Sequence, residues 1–421
     1  MGNSRIIITT QEDPIVTTAV DLPLEAGIVL ETPRGPVGKP VRVTTEAQLL
    51  QMFGTPTALY PVFDAVRSFV KRYNGITISR IQYTDAVASS VTVTDGAGTP
   101  VNLATVSGIS HSDYENGQKL IIVSSGLDKM SLTLTDAADV VLETLVLPRT
   151  SEGFVNELNL NSKYLKASKT EDGMIAPANY TFAAGAKGSL FDTSEIIDAI
   201  HVFDTPFVGK LEVLAAPGLM TKVVTETIDL EEVTHMPVIE DALALAHGRP
   251  ETMVIADFTP STTITEINTN IALLPKDNDI AYYHPAVKQR LSSGEVVVPA
   301  SMAALFVFAA AAQVSPWTVP AGFTPIYAIP FASAPVVLLS QSEADALYDT
   351  SSGVPSINPI IYDSELGFVI DGQRTADVST SIQRNIGISK LAKALEYRIN
   401  SVSKKYQYRP NNESTWDAWK L

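Results

Sequence analysis

The chain of 421 residues contains no cysteine. That removes disulfides, thiolate nucleophiles and thiolate metal sites together, and it fits assembly in a reducing compartment. Histidine is scarce, with five in all, and none stands in an HExxH pair. No GxSxG nucleophile elbow occurs, so that route to a hydrolase is closed as well. Long apolar runs are also missing. The most apolar stretch, Met302 to Ala312, falls well short of the roughly 20 residues that span a bilayer, and Pro299 and Gln313 bracket it. It reads as a buried, alanine-rich helix. The N-terminus lacks the apolar core of a secretory signal. Positive charge is in deficit too. The formal charge of −16 repels a phosphate backbone, which argues against nucleic acid as a partner.

What is present is 45% hydrophobic residues in a chain long enough for two or three cored domains. Residues 1–22 read as an extended arm. Within it Arg5, Ile6, Ile7, Ile8 and Thr9 form a β-branched strand with no nearby hairpin partner, which must pair with something distant. Residues 23–84 read as strand, turn, strand, helix, helix, strand. Thr45 is placed to cap a helix over 46–52, and Phe53-Gly54 ends it. A second helix runs over 58–71, and 76–83 alternates as a strand. Residues 85–190 are rich in Thr, Val, Ser, Asp and Gly and carry short alternating strands, a mostly-β insertion. Over 191–370 helices and strands alternate again. Val213–Ala216 and Thr252–Asp257 read as buried strands with a helix at 239–246 between them, which predicts a parallel pair. The fold class is therefore α/β to α+β: a multidomain chain with a mixed-sheet core, an inserted β domain and extended terminal arms.

The last segment, 371–421, has nine Lys and Arg against five Asp and Glu, a net of +4, so the rest of the chain carries −20. Within a long helix over 380–408, Ile388, Leu391, Ala392, Leu395, Ile399, Val402 and Tyr406 make one stripe. At about 100° per residue, Lys390, Lys393 and Lys404 fall on the opposite side.

Two stretches could carry chemistry. Pro33 to Lys39, PRGPVGK, resembles a phosphate loop in glycine content only. Pro36 and Pro40 offer no N–H, and the residues that follow are strand-like, so it is a turn. Asp257 ends an apolar run where α/β folds place functional groups. A structural cap is the simpler reading, and an α/β hydrolase using Asp257 and His284 is the rival. His247 and His284 read as buried, hydrogen-bonded histidines. No catalytic, metal or cofactor site is expected.

An ordered series of short motifs resembles the contractile tail sheath proteins of bacteriophages, with relatives in R-type pyocins and type VI secretion. The series is GIVLETPRGP (27–36), PVRVT, Phe53-Gly54, Ala65 to Tyr73, AAGAKGS (183–189), APGL (216–219), RPETMVIADFTP (249–260), YYHP (282–285), VPAS (298–301), WTVPAG (317–322) and GQRT (372–375). The Pro-Gly-Val-Tyr usual near the family's start is missing. The resemblance implies a structural subunit and not an enzyme. Self-assembly would give hexameric rings stacked helically around an inner tail tube, with baseplate and tail terminator proteins as further partners. Contraction would drive the tube through the host envelope without membrane insertion by this chain. It implies a virion component assembled in the bacterial cytoplasm, or alternatively the sheath of a pyocin-like or type VI-like injection device, with the N-terminal strand crossing to a neighbouring subunit. Lys390, Lys393, Arg398 and Lys404 are then expected to form a basic, tube-facing helix surface.

Overall fold

A computed structural model describes residues 24–56, 60–188, 192–205, 208–228, 231–291, 294–349, 353–404 and 406–420. The expected arm strand, Arg5 to Thr9, lies outside the described residues.

The first elements are β1 (Ala26–Leu30), β2 (Val41–Val43), α1 (Glu46–Phe53), α2 (Pro61–Tyr73) and β3 (Ile76–Arg80). Thr45 caps α1 by accepting the Gln48 N–H, and Gly54 at φ 87° ends it. Asn74 ends α2 in the left-handed region.

A β-rich stretch follows, with β4 (Ser90–Thr94), β5 (Asn102–Gly108), β6 (Lys119–Ser124), β7 (Lys129–Thr135), β8 (Val141–Pro148), α3 (Ser151–Asn161), β9 (Leu165–Lys169) and β10 (Ala178–Thr181). Its strands form two antiparallel sheets, ordered β10-β6-β7-β8 and β4-β5-β9. Leu120, Leu132, Leu134, Val93, Val106 and Phe154 close a separate core.

The chain then returns to the first sheet through α4 (Thr193–His201), β11 (Val213–Ala215), β12 (Val224–Ile228), β13 (Glu231–His235), α5 (Pro237–Gly248) and β14 (Met253–Asp257). It continues as α6 (Ile264–Asn270), β15 (Ile280–His284), β16 (Val287–Leu291), β17 (Gly294–Val298), α7 (Ala300–Val314), β18 (Ala332–Pro335) and α8 (Gln341–Tyr348). It closes with β19 (Ile357–Asp363), β20 (Gly367–Ile370), α9 (Ile386–Ser403) and α10 (Glu413–Lys420).

The central sheet is eight-stranded and mixed, ordered β2-β3-β1-β11-β14-β15-β19-β20. Its six inner strands are parallel, and β2 and β20 are antiparallel edges. The expected parallel pair β11–β14 is present. Every residue of β1, β3, β11, β14 and β15 is buried, because helices cover both faces. α2 and α7 pack on one face, and α4 and α5 on the other. In α7 every residue from Ala300 to Ala312 is buried. Among the described residues no helix is long and apolar enough to cross a membrane.

PRGPVGK is a turn, with Gly35 at φ 124° and Gly38 at φ 69°. A Cβ on Gly35 would stand 2.6 Å from the Phe53 ring, so both backbone angle and space require glycine. The turn also bolts the β-rich insertion to the core. The Arg34 guanidinium lies 4.9 Å from the Tyr114 ring centre and 5.2 Å from that of Tyr164, and it donates to the Leu50 and Gln51 carbonyls. Buried Arg80 donates to the carbonyls of Gly35 and Ser110, one from each side of the junction. Arg34→Ala is expected to raise amide hydrogen exchange across 110–117 while α7 stays protected. Unchanged exchange at 110–117 would show that Arg34 does not hold the junction.

Candidate functional site

α9 was expected to bury its apolar stripe and present lysines to solvent. The structure shows the reverse. Lys390 is 9% exposed and Lys393 7%, whereas Leu395 is 52% and Ile399 53% exposed. Ile388, Leu391 and Val402 are outward-facing as well. Asn385 caps the helix by accepting the Gly387 and Ile388 N–H groups.

The inward face is seated by polar contacts. The Ser389 hydroxyl donates to the Asn278 carbonyl at 3.0 Å. The Lys393 ammonium pairs with Asp279 at 2.7 Å. Lys390 donates to the Thr318 carbonyl at 3.2 Å and lies 5.1 Å from the Phe308 ring centre. Burial pushes the Lys390 ammonium down to about 8, against a partial offset from Glu212. Of the four residues expected on a basic surface, only Arg398 and Lys404 are exposed. The correction has a physical cause. Helical spacing shows that two faces exist, but a buried lysine is stable where a carboxylate, a carbonyl and a ring await it.

His247 is exposed and not buried, and its Nε2 lies 3.2 Å from Asp277 Oδ2. His247, Asp277 and Asp279 bring their ligand atoms within 4.8 Å of one another. The Lys393 ammonium already neutralises Asp279 there and opposes a second cation. Removing one partner of a buried pair strands the other charge, a cost of about 3 kcal/mol. Asp279→Ala is therefore expected to destabilise the fold by about that amount. The double change Asp279→Leu with Lys393→Met should cost much less in urea denaturation. Equal losses would mean that the pair does not hold α9.

Asp257 is fully buried at the end of β14. Its carboxylate accepts the Gly218 N–H at 2.8 Å and the Ser301 N–H at 2.9 Å, tying the APGL turn to the first turn of α7. This is the cap that the sequence suggested. Desolvation outweighs these bonds and raises the carboxyl to about 7. His284 does not join it. Strand alternation puts Asp257 with Ile255 on the α7 face, while His284 stacks edge-on against Phe258, 5.9 Å away, on the α5 face. In register Asp257 stands beside Tyr283. Burial holds the His284 imidazole down to about 4. Nothing in this geometry assembles the Asp257–His284 pair that a hydrolase would use.

The Asp257 carboxyl binds its proton more tightly folded than unfolded. Its contribution to stability is greatest below pH 4 and is lost as pH rises toward 7, by a few kcal/mol. Urea midpoints measured from pH 5 to 8 should show this falling component, and Asp257→Asn should flatten it. An unchanged slope in the Asn variant would place the titration elsewhere.

The chain has the fold of tail sheath proteins. The sheath tail protein from Listeria innocua superposes with a TM-score of 0.65 at 12% identity, over 96% of this chain and 83% of that one. A sheath tail protein from Desulfitobacterium hafniense gives 0.57 at 12% identity, over 96% and 86%. The contracted helical sheath of the anti-feeding prophage gives 0.51 at 12% identity, over 94% and 74%. No family model and no curated protein matches the sequence. The hairpin β12–β13, with Glu226, Glu231 and Glu232 exposed, was missed in the sequence. Its alternation was legible, but glutamate-rich strands run against β propensity.

Proposed function

We propose that this chain is the structural subunit of a contractile sheath. The observation that carries the reading is the near-complete superposition on sheath proteins, one of them within a contracted helical assembly. In this reading copies assemble into stacked hexameric rings around an inner tube and meet a baseplate at one end and a terminator at the other. Contraction drives the tube through a host envelope and delivers a phage genome. The chain works in the virion, having been assembled in the bacterial cytoplasm. Free energy comes from added interface, so no catalytic step is asked of it. The core of residues 23–84 and 191–370 carries the ring, the insertion of 85–190 stands outside, and segments 1–22 and 371–421 make the linking contacts. Arg5 to Thr9 would add a strand to a neighbouring subunit. Arg398 and Lys404 are what remains of the tube-facing charge, since Lys390 and Lys393 are engaged within the chain.

The exposed stripe of α9 supports a role in assembly, because five large apolar residues in one row mark a contact surface. Negative-stain microscopy of the protein, alone and with its tube protein, should show hollow ringed cylinders. Dispersed particles in both samples would overturn the sheath reading. Leu391→Glu with Leu395→Glu should leave circular dichroism and thermal unfolding unchanged and abolish the cylinders. Cylinders of normal length would remove the stripe from the contact.

A further inference from the structure

The outward row of α9 has a definite period. Ile388, Leu395 and Val402 stand seven residues apart, and Leu391 and Ile399 fill the spaces between them. These side chains are 37–53% exposed. At about 100° per residue all of them fall within about 60° of Ile388 around the helix, in a strip about 21 Å long. The helix cannot roll to bury this strip against its own chain, because Ser389, Lys390 and Lys393 hold the other face to the body.

Two charges flank the row. On the same count Glu396 lies about 80° to one side of Ile388 and Arg398 about 80° to the other. Both are exposed, and among the described residues neither has an ion-pair partner in the chain. Two copies of such a helix can meet face to face in two ways. In an antiparallel pair centred on the row, each flank meets the same flank of the other copy. Glu396 then faces Glu396, and Arg398 turns toward Arg398, which is repulsive. In a parallel pair each flank meets the opposite flank, so Glu396 of each copy faces Arg398 of the other. Ile388, Leu395 and Val402 then each meet their own counterpart, the seven-residue seam of parallel helices, with a β-branched residue at each end.

We propose that the outward face of α9 docks on the same face of a second copy of this chain, with the two helices parallel. The occupant follows from the flanking charges, which complement themselves in that arrangement alone. The inference rests on the stripe being a contact surface and names what covers it in the free subunit. A seam about 21 Å long is short for a permanent dimer, so the pair is reversible. It is also closed. A two-fold contact uses up the row and cannot extend into stacked rings. The pair is therefore a form of the unassembled subunit, and it must open before α9 can serve a sheath contact.

The chain has no cysteine, so single substitutions report the geometry without background. Ile388→Cys and Val402→Cys, each in the full chain, would be cleared of cylinders by centrifugation and oxidised. Each alone should form an interchain disulfide in high yield. Ser401→Cys, exposed but turned away from the row, should give at least tenfold less. Mass spectrometry of an oxidised mixture of the first two variants should find 388–388 and 402–402 links and few 388–402 links. In the Val402→Cys background, Glu396→Arg or Arg398→Glu alone should lower the yield several-fold, and the two together should restore it. No disulfide at 388 or 402, an equal yield at 401, a mixture dominated by 388–402 links, or no restoration by the double swap would each overturn the proposal. Crosslinking and cylinder formation are read separately. A chain that crosslinks in this pattern but never assembles sinks only the sheath reading, and one that assembles without the pattern sinks only this inference.

Discussion

Two-sided burial of the parallel sheet constrains everything else in this chain. Five of the six inner strands have no face to spare for a ligand, because every residue of β1, β3, β11, β14 and β15 is covered. The helices that cover them are correspondingly apolar, and α7 is buried over thirteen consecutive residues. The space beside α7 at the strand ends, where α/β proteins place chemistry, is closed by Asp257. Its carboxylate fastens the Gly218 turn to the helix. Among the described residues, the exposed large apolar side chains lie mainly in the insertion, on loops and sheet edges and on α9.

The seat of α9 on the body is polar and specific: an ion pair, a lysine on a carbonyl and a ring, and a serine on a carbonyl. Such a seat fixes orientation but adds little net stability, since desolvating two lysines offsets much of what their partners return. The apolar stripe is the face with hydrophobic free energy still to gain, and it points outward. A helix seated in this way leaves its apolar face uncovered among the described residues.

Much of the fold was legible in the sequence, because those parts obey local rules. Thr45 and Gly54 bracket α1, the apolar block before Gln313 is α7, and the runs ending at Ala216 and Asp257 are the parallel pair. What was not legible depended on partners far away in sequence. Periodicity showed two faces on α9, but Asp279 and Phe308 decide which one turns inward. His247 looked buried in the sequence, yet it is exposed and its ring meets Asp277 at the surface. Arg34 read as part of a turn, and only the folded chain brings Tyr114 and Tyr164 to its guanidinium from the insertion.

Those distant partners have one thing in common. Arg34, Arg80, Lys390 and Lys393 are buried cations in an acidic chain, and each joins segments remote in sequence. Hydrophobic burial closes each core but is tolerant of small shifts, whereas a buried cation demands particular acceptors at particular distances. Apolar packing thus builds the bodies of this protein, and a few cations fix the orientation of the insertion and of α9 against the sheet.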